Sequence, residues 1–156
     1  LRFAAPVSYD DFRRGGEQVN RAILGAVAAY YDADAVPSPA TAVIAWGRGG
    51  AFPENRLYWS DYVENGRDAG RAHLFVGTLP TIPLCEAAIA LNLNGPGYYL
   101  DCPPETLREE IAQVLSDPAL DSILLLMYSC VKMSVFYLVR GMASPADGKT
   151  LEGAAE

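Results

Sequence analysis

Histidine is almost missing from this sequence: among 156 residues there is one, His73. Cysteine is scarce as well. Cys85, Cys102 and Cys130 lie far apart and form no C-x-x-C pair, which excludes the usual spacing of a structural zinc site and offers no disulfide framework. Reduced thiols in a cytoplasmic protein are the expectation. Basic residues are outnumbered, 12 Lys and Arg against 19 Asp and Glu, for a net charge of −7. That balance speaks against nucleic acid, where cations supply most of the affinity, and equally against an anionic membrane surface. Arg13, Arg14, Arg48, Arg56, Arg67 and Arg71 are scattered and form no basic stripe. Long apolar runs are missing too. Ile123 to Met127 and Val135 to Val139 fall far short of the ~20 residues that span a bilayer, and no charged-then-apolar leader is legible at the start.

What is present is globular: half the residues are hydrophobic and a fifth are charged. Residues 1–156 read as a single domain, large enough to bury roughly two-thirds of the surface its unfolded chain exposes. Leu1 to Phe12 reads as a short strand or arm, and the tail from about 143 as a frayed end. From Glu17 to Tyr31, Val19, Ile23, Val27 and Tyr30 recur at helical spacing, which predicts a helix facing a core. Thr41 to Trp46, rich in β-branched residues, predicts a strand. Gly47-Arg48-Gly49-Gly50 then leads into a helix opened by Pro53, a residue well suited to a first turn, and stopped by Asn65-Gly66.

A loop through His73 is expected next, then a helix over Leu79–Asn92 with almost no polar face, hence buried nearly all round. Asn94 to Gly97 is a turn and Tyr98 to Asp101 a short strand. Pro103-Pro104-Glu105 starts a helix to Ser116. Ser122 to Val131 and Ser134 to Arg140 follow one another too closely for a crossover, so they must pair antiparallel as a hairpin. Alternating strands and helices with one antiparallel strand predict a three-layer α/β domain built on a mixed sheet.

Thr78-Leu79-Pro80 and Ala87-Ala88-Ile89-Ala90-Leu91-Asn92-Leu93-Asn94-Gly95-Pro96 resemble the β-ketoacyl synthase pattern T-L-P-N … A-I-A-x-x-L-G-L-x-G-P. The surrounding order of parts, from Glu17 to Arg140, is similar to that of the N-terminal half of a ketosynthase. The resemblance implies one half of a thiolase-like fold, with Ser134 to Arg140 in the place of the family's antiparallel fifth strand. In the complete fold, the helix after the nucleophile strand is sandwiched between two halves. Here Leu107, Ile111, Val114 and Leu115 form one stripe, while Arg108, Glu109, Glu110 and Gln113 fill the rest, so a one-sided helix is expected. Burying those charges unpaired would cost several kcal/mol each, in the ~3–5 kcal/mol range of a broken buried pair.

The resemblance also implies a catalytic cysteine at the start of that helix, where the helix N-terminus activates the thiol and backbone N–H groups hold an oxyanion. Tyr99-Leu100-Asp101-Cys102-Pro103-Pro104 occupies the place. Counting on from Asp101 puts Pro104 at the nucleophile position, and counting back from Ser122 puts Cys102 there. The family's two catalytic histidines belong to the other half, and His73 lies upstream of the site. Three readings follow. The first is a non-catalytic partner or scaffold subunit in fatty-acid, polyketide or polyene assembly. The second is an acyl-transfer or hydrolytic enzyme using Cys102, and the third a small-ligand-binding module that has left acyl chemistry. None calls for a cofactor or metal.

Gly47-Arg48-Gly49-Gly50 lacks the G-x-G-x-x-G spacing and the P-loop Lys-Ser/Thr, so a tight strand-to-helix turn is favoured over a phosphate cradle. Tyr30-Tyr31, Tyr58-Trp59 and Tyr98-Tyr99 point to packing or an interface, and Asp61, Glu64 and Asp68 to a solvated face. In the thiolase-like family, the strand before the nucleophile helix lies at a sheet edge and pairs with its two-fold mate. The equivalent Gly97, Tyr98, Tyr99, Leu100 and Asp101 contain no Lys or Pro to block pairing. A homodimer, or a heterodimer with a ketosynthase, is expected through this strand, with an acyl carrier protein as a further candidate partner.

Overall fold

The computed structural model describes residues 16–66, 72–128 and 132–140. The calls on Leu1 to Phe12, on Arg67 to Arg71 with Asp68, on Cys130 and on the tail from 143 lie outside them. Helix α1 (Glu17–Asp32) leads to strand β1 (Thr41–Trp46), helix α2 (Phe52–Asn65), a short helix α3 (Ala72–Gly77) and helix α4 (Ile82–Ala90). Strand β2 (Gly97–Leu100), helix α5 (Pro104–Leu115), and strands β3 (Ser122–Tyr128) and β4 (Met133–Val139) complete the order. No helix among the described residues is long and apolar enough to cross a membrane.

The sheet runs β2-β1-β3-β4. β1 is parallel to both neighbours, Val43 facing Gly97 and Thr41 facing Ser122, and β3 is antiparallel to β4 with Tyr128 opposite Met133. The expected hairpin and mixed sheet are therefore both present. Among the described residues the antiparallel strand is the last of four, at the end of the sheet.

Alternation along the strands builds two cores. Val43, Ala45, Leu124 and Leu126 face Ala22, Ala26 and Tyr30 of α1 and Leu84 and Ala87 of α4. Ala42, Ile44, Ile123 and Leu125 point the other way, toward Leu107 of α5 and Leu120. Because β1 and β3 are covered on both faces, every residue of β1 is buried, and so is every residue of β3 up to Met127, as central parallel strands require. At the base of the sheet, the Thr41 and Ser122 hydroxyls satisfy each other at 2.8 Å. The Arg140 guanidinium donates to the carbonyls of Asp117 and Leu120. Gly95 must be glycine, since a Cβ there would lie 2.0 Å from the Thr41 carbonyl oxygen.

Three expectations need correction. The loop through His73 contains a helical turn, α3, whose Phe75 ring meets Tyr58 of α2 edge-on at 5.8 Å; an aromatic contact across 17 residues leaves no local signal. The helix expected over Leu79–Asn92 begins only at Ile82, with Pro83 in its first turn, where a missing N–H costs nothing. Nor is it buried all round: Ile89 is 68 % exposed, while Leu84, Ala87 and Ala90 carry the packing. The one-sided reading of α5 agrees with the fold, with Leu107 buried and Arg108, Glu109, Glu110 and Gln113 exposed.

Candidate functional site

The carboxyl ends of β1 and β2 lie side by side, and each passes directly into a turn that launches a helix. At the end of β1, Gly49 and Gly50 adopt φ of +87° and +56°, the left-handed region open to glycine at little cost. The turn's donors are used internally. Gly47 N–H bonds the Leu100 carbonyl at 3.3 Å, and Phe52 N–H bonds the Gly49 carbonyl at 3.2 Å. The Tyr99 hydroxyl donates to the Gly47 carbonyl at 2.5 Å. Burial raises the Tyr99 pKa first and the Asp101 charge second, against a backbone N–H from Gly50 that lowers it. This is a braced turn, and Arg48 is exposed.

At the end of β2 the chemistry differs. The Cys102 carbonyl accepts the Trp46 indole N–H at 3.0 Å, and its half-buried side chain packs with Leu100, Ile111 and Val114 against the α5 core. Pro103 (φ −58°, ψ 147°) precedes the helix and Pro104 is its first residue. Neither proline has an N–H. In the first turn, Thr106 N–H and Thr106 Oγ1 both go to the Pro103 carbonyl, at 3.1 and 3.0 Å, and Glu105 adds a negative charge. A helix start holds an anion through free N–H groups and the positive end of its dipole; this one lacks the N–H of its cap and first residue and has Glu105 beside its dipole. Pro104 stands at the first helical position, and Cys102 lies two residues outside it.

Behind the first turn sits Tyr128, at the end of β3. Its hydroxyl is buried with no hydrogen bond, and Gly47 packs against its side chain. Burial, then the nearby Tyr99 and Cys85, pushes its pKa up. Sequence reasoning passed over it; the one available signal is a polar ring closing the apolar run Ile123 to Met127. Cys85 is exposed on α4, its thiol raised by partial burial and then by Glu86. His73 falls within α3. Among the described residues, no three His, Cys, Asp or Glu side chains cluster as metal ligands do.

Among the described residues β2 is an edge strand, bonded on one side to β1. Gly97 and Tyr98 are exposed, Tyr99 and Leu100 half-buried and Asp101 exposed. The adjacent aromatics diverge as strand alternation requires. Val43 and Gly47 N–H groups go to Pro96 and Leu100 carbonyls, a spacing that turns the Tyr99 N–H outward.

No protein-family model matches this sequence, and no curated protein matches it. Among solved structures, the fold is similar to a chain of a ketosynthase in complex with its chain length factor from Xenorhabdus doucetiae. The TM-score is 0.59 at 10 % identity, over 83 % of this chain and 52 % of that one. The chain thus spans about half the length of the structure it matches. Its four-stranded mixed sheet, with one antiparallel pair and helices on both faces, is a ketosynthase-like half fold.

Proposed function

We propose that this chain is a non-catalytic, ketosynthase-like partner subunit in fatty-acid, polyketide or polyene assembly. The observation that carries the reading is the start of α5, where the resemblance puts the nucleophile and the chain puts Pro103-Pro104. Proline offers no nucleophile and no oxyanion donor, and the one nearby thiol is held outside the helix. A similar half fold occurs in an assembly of a ketosynthase with its chain length factor. That pairing supports a ketosynthase as the mate of this chain.

The docking surface in this reading is the open edge of β2, over Gly97 to Asp101. Its outward Tyr99 N–H is available to a second strand, and a two-fold or pseudo-two-fold contact sets each residue opposite its counterpart. Two measurements test the reading. This chain alone releases no carbon dioxide from a malonyl carrier protein in the presence of an acyl thioester; release abolished by Cys102→Ala overturns it. Sedimentation with a co-expressed ketosynthase gives a complex that Tyr99→Pro splits and Tyr99→Phe does not. The second variant loses only the hydroxyl's contacts to Gly47 and Gly50, whereas proline removes the outward N–H. A chain that sediments apart from the ketosynthase in every case contradicts the docking surface.

A further inference from the structure

Among the described residues, the opposite edge of the sheet carries no further strand either. Within those residues β4 is hydrogen-bonded to β3 on one side; Met133 to Val139 contain neither Lys nor Pro, and Lys132 stands just before them at the mouth of the groove. Unprotected edges are templates for another strand. Beside this edge runs a groove of about 500 Å³ between β4 and one stripe of α1. Along it, Arg21, Gly25, Ala28 and Asp32 follow one another at helical spacing, with Leu24 57 % exposed beside them. The stripe is small in the middle and oppositely charged at its ends.

We infer that this face is a contact between two copies of the chain, in which β4 pairs antiparallel with its copy and α1 lies antiparallel to its own. One two-fold axis normal to the sheet performs both operations. Full overlap of β4, Met133 opposite Val139, centres that axis on Phe136. α1 runs alongside β4 in the same direction: a Cβ on Gly25 would touch Val135, and the Tyr30 and Tyr137 rings are 4.7 Å apart. Halfway between those two contacts the axis passes close to Val27. The midpoint of Arg21 and Asp32 lies within about one residue of it, at ~1.5 Å of rise per residue.

The single axis that pairs the strands therefore brings Arg21 of each copy to Asp32 of the other. Arg21 already pairs with Glu17 in its own chain; its five donors can serve both carboxylates. Gly25, Ala28 and Ala29 let the helix axes approach to the ~8–10 Å of close packing. The operator differs from any contact at β2, which is on the far edge of the sheet. A chain engaged at both edges forms a dimer of dimers or a longer array.

The test is sedimentation of the full chain, with and without Tyr99→Pro, so that contacts at β2 are removed separately. Dimers that survive Tyr99→Pro are expected. Arg21→Glu and Asp32→Arg each weaken them about tenfold, two ion pairs being turned to repulsion, and the double exchange restores them. With Cys85, Cys102 and Cys130 replaced by Ser, Ala28→Cys is expected to oxidise to a covalent dimer, since Ala28 lies next to the axis. A chain that is monomeric in the Tyr99→Pro background overturns the inference. So does a double exchange that fails to restore association, or an Ala28→Cys variant that does not cross-link.

Discussion

Two strand-to-helix turns sit side by side at the top of this sheet, and they are built from opposite residues. The turn after β1 uses glycines in left-handed conformations and is tied to the neighbouring strand through Gly47, whose N–H meets the Leu100 carbonyl and whose carbonyl accepts from the Tyr99 hydroxyl. The turn after β2 uses two prolines, which bring no N–H to the start of α5. The helices they launch differ in the same sense. α5 is anchored by one buried stripe, whereas α2 buries no residue and leaves Phe52, Trp59 and Val63 more than 60 % exposed. The fold thus spends its precise packing under the second turn and its conformational freedom on the first.

Breaking the anchor of α5 has the largest expected effect. Leu107→Ala should cost about 2–5 kcal/mol, the range for emptying a buried leucine site, whereas Trp59→Ala in α2 should stay within about 0.5 kcal/mol as an exposed change. Chemical denaturation of both variants checks the contrast. Gly49→Ala comes next, at about 1–2 kcal/mol, because a side chain at φ +87° is strained. Pro103→Ala in the other turn should cost less than that, since its φ of −58° suits any residue and only unfolded-state entropy changes. Tyr99→Phe should cost about 1 kcal/mol through the lost bond to Gly47.

The smallest effect is on pH. Burial raises the Tyr30 pKa from 10.0 to about 12, so the unfolded chain ionises there first and binds fewer protons. The sign of linkage then makes this contribution fully present below pH 10 and lost as pH rises toward 12. Tyr30→Phe should flatten the alkaline limb of a stability profile over that window.

The layers of the fold were legible in the sequence because they rest on local periodicity. α1, β1 and the β3–β4 hairpin fall within a few residues of where Ile23 and Tyr30, the Thr41 to Trp46 run, and the short gap after Tyr128 put them. The edge position of β2 came from the family resemblance, as did the half fold, at an identity where no family model responds. What stayed hidden depends on contacts distant in sequence. Phe75 meeting Tyr58 shapes α3, and the exposure of Ile89 follows from which side of α4 meets α1. The site was half legible. Counting along the chain left Cys102 and Pro104 as alternatives, because a count carries no helix boundary. The structure starts the helix at Pro104, within a residue of the start expected at Pro103-Pro104-Glu105, with Cys102 two residues before it.

That placement is the centre of the account, and covalent loading reads it most directly. The purified chain is incubated with an excess of a medium-chain acyl thioester and its intact mass is measured, beside a Cys102→Ala variant. The account predicts no acyl adduct on Cys102: the thiol is half-buried, it lies outside the helix, and Pro103-Pro104 supplies no donor for the intermediate. An adduct that forms rapidly on the parent chain and is abolished by Cys102→Ala would contradict it, and would make this helix start a working acyl-transfer site.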